Sequence, residues 1–184
     1  TVGSLVLKGN PLGAPRLREV PVYLPPSYTE GIERRYPVIY FLLGFTGHPK
    51  SAAQPNPWRE NAVERFDRLV AKGAAPEAIL VLPDGFTRYG GSQYLNSEGS
   101  GRYAAHLVGE LVGYIDGRYR TVAGAGGRAL MGKSSGGYAA WVLAMRHPEV
   151  FGHCVSHSGD SLFEVGYALE FPRCADKLAA YGGD

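Results

Sequence analysis

Seven residues, Pro37-Val38-Ile39-Tyr40-Phe41-Leu42-Leu43, run without a charge and without polar–apolar alternation, and stop at Gly44. A strand with one wet face would alternate, so this run predicts a parallel strand covered on both faces. Ala78-Ile79-Leu80-Val81-Leu82 repeats the pattern and closes at Pro83-Asp84-Gly85. Between the two, Trp58 to Lys72 places Ala62, Val63, Phe66, Leu69 and Val70 at spacings of three and four. That spacing predicts an amphipathic helix, with Gly73 as its stop. Buried strand, helix, buried strand restricts the chain to a mainly parallel α/β sheet with helices on both faces.

The rest of the chain fits that frame. Leu5-Val6-Leu7 and Arg18 to Leu24 are short apolar runs separated by the turn-rich stretch Gly9 to Pro15. They predict an antiparallel hairpin that makes the sheet mixed. Asp84 reads as a turn or cap residue. A Gly/Ser/Tyr/Asn-rich loop from Phe86 to Gly101 is longer than most connections, which suggests a place near a binding site. Its Tyr89 and Tyr94, with Phe163, Tyr167 and Phe171, are candidate pocket walls or core residues alike. A helix is expected from Tyr103 to about Tyr119, with Leu107, Val108, Leu111, Val112 and Ile115 as its apolar face. Strand Arg128–Met131, helix Tyr138–Arg146 and strand Val150–Val155 follow. Residues 1–184 read as one domain, with 161–184 as the start of a cap or insertion.

Composition removes several classes of function. Hydrophobic residues make up 45%, charged residues 20%, and the net charge is +2, as in ordinary globular domains. No Lys/Arg cluster is interleaved with aromatics, which argues against a nucleic-acid partner. No apolar run reaches the roughly 18 residues of a membrane span. The N-terminus, Thr1-Val2-Gly3-Ser4, has no apolar signal core, which favours a cytoplasmic location, although it also lacks Met. The two cysteines, Cys154 and Cys174, are too few for a disulfide scaffold; free thiols are expected, with Cys154 in the core.

The chemistry lies in Gly132-Lys133-Ser134-Ser135-Gly136, a G-x-S-x-G pattern. Five residues of this kind are common by chance, but here they follow an apolar strand and open a helix. That context defines a nucleophile elbow, a strained strand-to-helix turn from which the serine projects. Ser134 has glycine at both flanking places, whereas Ser135 would need one at Lys133, so Ser134 is the candidate nucleophile. The Ser135 backbone N–H then becomes an oxyanion donor at a helix N-terminus. The second donor is expected from Gly44-Phe45-Thr46-Gly47-His48-Pro49, through the Phe45 N–H. His48 suits loop structure or a pocket wall.

These segments resemble the esterase D-like esterase family of α/β-hydrolases, which includes S-formylglutathione hydrolases, feruloyl esterases and mycolyltransferases. The resemblance is carried by Pro37 to Gly47, Val81 to Gly85, Gln93 to Ser97, Arg118 to Thr121, Arg128 to Ala140 and Arg146 to Phe151. It implies the α/β-hydrolase fold, with Ser134 as nucleophile. Many relatives carry His or Asp just before the glycine of the oxyanion loop; here that place holds Leu43. Lys133 at the variable elbow position is also a departure.

In this fold the acid and the His follow the serine in that order, each after a further strand. The chain reaches Asp184 too soon for two more strand–helix units of about 30 residues each. The acid and His are therefore expected beyond residue 184, with the sheet lacking its C-terminal strands. His157 and Asp160 form the internal alternative. The expected function is a serine esterase that hydrolyses small-molecule ester or thioester substrates through an acyl-enzyme, with no metal or cofactor. An acyltransferase on the same site, or a binding module without turnover, is the alternative. Nothing in the sequence sets the oligomeric state.

Overall fold

The computed structural model describes residues 1–30 and 33–179. Strands β1 (Val2–Gly3) and β2 (Leu17–Arg18) form a small antiparallel pair. The expected strand at Leu5–Leu7 is a turn instead. The Leu5 and Val6 N–H groups donate to the Glu110 carboxylate, and that of Leu7 to the Ser4 hydroxyl, so none is free for a ladder.

The central sheet has five strands. In chain order they are β3 (Val22–Tyr23), β4 (Val38–Leu42), β5 (Ile79–Val81), β10 (Arg128–Lys133) and β11 (His153–His157). In space they run β11-β10-β4-β5-β3, all parallel except β3. The mixed sheet is thus due to β3 alone, not to the whole leading hairpin. The chain leaves β4 toward β5 on one side and β10 toward β11 on the other. The crevice at the strand ends between β4 and β10 is therefore a topological switch point, where open α/β sheets place their ligands.

Two short helices follow β4. The first, α1 (Pro49–Ala53), is capped by His48. The second, α2, spans Ala62–Ala71, four residues shorter at its start than the periodicity predicts. The cause is a capping box: Asn61 Oδ1 accepts the Glu64 N–H and Glu64 Oε2 accepts the Asn61 N–H, each at 2.9 Å. At the other end Gly73, with φ 65°, takes the left-handed conformation that stops a helix. Trp58 stands outside α2, fully exposed.

The loop after β5 holds two small hairpins, β6 (Phe86–Thr87) with β7 (Gly90–Gly91), and β8 (Asn96–Ser97) with β9 (Gly101–Arg102). Next, α3 (Tyr103–Ala105) runs through a π-helical stretch, His106–Leu111, into α4 (Val112–Arg118). Helix α5 (Ser135–Arg146) connects β10 to β11. Beyond β11 lie α6 (Phe163–Gly166) and α7 (Phe171–Ala179).

One face of the sheet is the core. Val38, Tyr40, Leu42, Ile79, Val81 and Leu130 pack against Leu107, Leu111 and Ile115 on one side helix and Ala139, Ala140 and Leu143 on α5. The alternate residues Phe41, Leu80 and Met131 line a groove of about 900 Å³ under Phe66 and Leu69 of α2. The expectation of equal cover on both faces thus holds for β5 but not for β4, whose residues alternate between buried and half-buried. Strand β11 is the outer strand of the sheet, and all five of its residues are exposed. Cys154 is consequently exposed and not in the core; Cys174 is exposed too, and both are free thiols. The strand starts at His153 rather than Val150, because the Val150 and Phe151 N–H groups both turn back to the His147 carbonyl.

Candidate active site

The register of β4 and β10 fixes the site. Gly132 pairs with Leu42, so the turn after each strand leaves the sheet at the same level. On β10 that turn is Ser134, with φ 54° and ψ −125°. A positive φ costs a serine about 1–3 kcal/mol, which only surrounding structure can sustain. Here the Ser134 N–H donates to the His157 carbonyl at 3.0 Å, and its own carbonyl accepts the Tyr138 N–H at 2.9 Å. The elbow is thus tied to β11 and to the first turn of α5.

Both flanking glycines are required by close approach. A Cβ on Gly132 would lie 2.2 Å from the Gly136 carbonyl oxygen, and one on Gly136 only 2.0 Å from that of Leu42. The backbones of the elbow and of β4 therefore touch where a side chain would stand. Gly44 continues the contact, since a Cβ there would sit 3.5 Å from Ser134 Cβ.

The loop residue Phe45 comes next. Its carbonyl accepts the Gly91 N–H at 2.6 Å, and its half-exposed ring lies over Gly90. Its own N–H donates to no acceptor among the described residues. Ser135 is buried and opens α5, so its N–H lacks a helical partner. Two backbone donors thus stand at the ends of the adjacent strands β4 and β10, one of them at the positive end of a helix dipole.

Behind this loop stands Tyr94, which the sequence left between pocket wall and core. It is buried, with a positive φ of 52°. Its hydroxyl accepts the Leu43 N–H at 3.0 Å and donates to the Pro83 carbonyl at 3.3 Å. Burial pushes the hydroxyl's pKa well up, partly opposed by the Leu43 bond, so it remains a proton donor. Gly85 lies flat against its ring. Tyr89, by contrast, is exposed.

Asp84 takes the turn role expected of it, accepting the Phe86 N–H at 3.0 Å, and adds an ion pair the sequence did not reveal. Arg18, equally buried, reaches it at 3.3 Å and also donates to the Phe86 carbonyl and the Tyr103 hydroxyl. His48 caps α1 through Nδ1, packs edge-on to Phe86 and lines a small cavity of about 450 Å³ with Arg18 and Asp84.

Of the internal pair His157 and Asp160, only Asp160 bonds the elbow through its side chain. Ser134 Oγ donates to Asp160 Oδ1 at 3.3 Å, and Ser135 Oγ to Oδ2 at 3.1 Å. His157 contributes its backbone carbonyl to Ser134, while its residue is exposed on β11. No histidine side chain bonds to Ser134 among the described residues. Nor do the described residues contain a His/Cys/Asp/Glu group able to hold a metal ion. No described helix is long and apolar enough to cross a membrane.

A mostly parallel sheet, a switch-point crevice and a serine at a strained strand-to-helix turn define an α/β-hydrolase fold. The chain belongs to the esterase family described as "Putative esterase", whose model matches residues 14–163. It is 30% identical over 144 residues to an endo-1,4-beta-xylanase/feruloyl esterase of Xylanibacter ruminicola, a match covering 75% of this chain and 19% of that protein. A ferulic acid esterase structure superposes with a TM-score of 0.67 at 30% identity, over 76% of this chain and 53% of that one. An S-formylglutathione hydrolase from Agrobacterium tumefaciens shares the fold, with a TM-score of 0.55 at 21% identity, over 73% of this chain and 50% of that one. The chain thus spans about a fifth of that curated relative and about half of these solved structures.

Proposed function

We propose that the protein is a serine esterase in which Ser134 attacks the carbonyl of a carboxylic ester or thioester. The observation that carries this reading is the Ser134 backbone, held at φ 54° by the glycine contacts of the elbow. A strained serine between a parallel strand and a helix N-terminus has few other uses. As Ser134 Oγ attacks, its proton passes to a general base, and the oxyanion of the tetrahedral intermediate takes hydrogen bonds from the Phe45 and Ser135 N–H groups. Collapse returns that proton to the departing alcohol or thiol and leaves the acyl group on Ser134. Water, in a second round through the same oxyanion site, releases the acid.

The names of the relatives make methyl ferulate a natural first substrate beside p-nitrophenyl acetate. The test is Ser134→Ala in the full natural chain, with fluorophosphonate labelling located by peptide mapping. Loss of turnover by about three orders of magnitude or more, together with loss of the label, is expected. Substantial turnover in Ser134→Ala, or a label on another residue, overturns the reading.

A further inference from the structure

The segment after β11 doubles back onto the elbow and is held there by backbone. Ser158 has φ 48°. A Cβ on Gly159 would lie 2.8 Å from the Gly137 carbonyl carbon, and one on Gly137 would lie 2.9 Å from Gly159 Cα. Two glycines facing each other let the segment lie flush on the first turn of α5. The Asp160 N–H points to the Ser134 carbonyl at 3.4 Å, and its carboxylate spans the two serine hydroxyls. This carboxylate is half-buried and forms no ion pair with Lys or Arg among the described residues. The elbow's other charge, Lys133, is exposed and screened by water.

We propose that Asp160 sets the charge preference of the ester site, favouring substrates with a positive charge near the scissile carbonyl and rejecting those with a carboxylate there. The proposal rests on Ser134 being the nucleophile. The physics is direct. The carboxylate lies 3.3 Å from the attacking oxygen and so close to the reacting groups. It opposes the negative charge that develops on the carbonyl oxygen, and a cationic substrate offsets that opposition where an anionic one adds to it. At about 6 Å in a partly wet site, each sign of charge shifts the rate by roughly tenfold relative to a neutral isostere. The same segment carries Phe163, which is edge-on to Tyr138 at 5.0 Å and stacked on Tyr167 at 5.6 Å. Aromatic faces of this kind attract quaternary ammonium groups.

The test uses two sets of esters in the full natural chain. One varies the alcohol: acetylcholine, its neutral isostere 3,3-dimethylbutyl acetate, and 3-acetoxypropanoate. The other varies the acyl group: methyl esters of 4-(trimethylammonio)butanoate, 5,5-dimethylhexanoate and glutarate. In at least one set, kcat/KM should fall in the order cation, neutral, anion. Asp160→Asn should shrink the cation-to-neutral ratio about tenfold, and raising salt from about 0.05 to 0.5 M should compress the wild-type ratio. Equal rates across both sets, or a ratio that Asp160→Asn leaves unchanged, overturns the proposal. So does an Asp160→Asn variant that slows all esters by one common factor. Should that variant fail to fold, the wild-type salt dependence decides, and a ratio indifferent to salt overturns the proposal. If Ser134→Ala loses all turnover while the ratio ignores Asp160→Asn, the charge reading alone is wrong. If Ser134→Ala keeps turnover, the assignment of the ester site is wrong.

Discussion

The Tyr94 hydroxyl accepts the backbone N–H of Leu43 at 3.0 Å, two residues before Phe45, whose own N–H has no acceptor among the described residues. With the Gly91 N–H on the Phe45 carbonyl, the long loop after β5 grips the Leu43–Phe45 turn at two points. Removing the hydroxyl leaves the Leu43 N–H without its partner, at a cost of about 1–3 kcal/mol, and frees the Phe45 segment to turn. Tyr94→Phe should therefore lower kcat about tenfold with KM nearly unchanged, because a misaimed donor weakens transition-state binding selectively. Steady-state kinetics well below the melting temperature checks this. A variant that melts earlier but keeps its kcat would show that Tyr94 serves stability alone.

A tighter constraint acts at Gly136. A Cβ there would lie 2.0 Å from the Leu42 carbonyl oxygen, and backbone on both sides leaves nothing flexible to move. Gly136→Ala should destabilise the fold by about 3 kcal/mol or more, or prevent soluble expression. Urea unfolding would measure it. A change under about 1 kcal/mol would mean that β4 and the elbow can separate, against the contact described.

Away from the site, Glu110 anchors the N-terminal segment. Its carboxylate accepts from the Ser4 hydroxyl at 2.5 Å, the Leu5 N–H at 2.7 Å and the Val6 N–H at 3.0 Å, and it contacts His106 Nδ1 at 2.7 Å. Burial pushes its pKa up, but the bonds from Ser4, His106, Val6 and Leu5 outweigh that and bring it down to about 2. A depressed carboxylate pKa adds stability that is complete above the unfolded value of about 4.3 and fades as pH falls toward the folded one. Acid unfolding should therefore show a loss between about pH 4.3 and 2 that Glu110→Gln removes, with a stability cost of about 2 kcal/mol at neutral pH. Identical acid-unfolding curves for the two proteins would sink this account.

Much of the sheet was legible because buried parallel strands announce themselves. The runs ending at Leu43 and Leu82 became β4 and β5, and the G-x-S-x-G serine landed at the end of β10. Periodicity failed where backbone polar groups found side-chain partners. Leu5–Leu7 is apolar enough for a strand, yet Glu110, more than a hundred residues away, takes its N–H groups. Trp58 fits the helical pattern, but Asn61 and Glu64 cap the helix later, and that N-x-x-E signal was present in the sequence. The brace from Tyr94 and the contact of Asp160 with both serines depend on where two loops return to the sheet. No local pattern carries that information.

The last prediction separates the two neighbouring serines. Ser135 Oγ donates to Asp160 Oδ2 at 3.1 Å, whereas its backbone N–H is the group proposed to face the oxyanion. Ser135→Ala keeps the N–H and removes only the hydroxyl. It should cost about 1.5 kcal/mol of stability, since a single hydrogen bond to a carboxylate is lost from a part-buried position. Asp160 would retain its bond from Ser134 and so stay close to the elbow. Turnover should fall by no more than about fivefold, compared with the three orders of magnitude or more expected for Ser134→Ala. Fluorophosphonate labelling should persist, still on residue 134. The measurement is a side-by-side comparison of p-nitrophenyl acetate turnover and label position in the two alanine variants. If Ser135→Ala loses as much activity as Ser134→Ala while remaining folded, the hydroxyl itself takes part in the chemistry. The backbone assignment of the oxyanion donor at residue 135 would then no longer explain what that residue does.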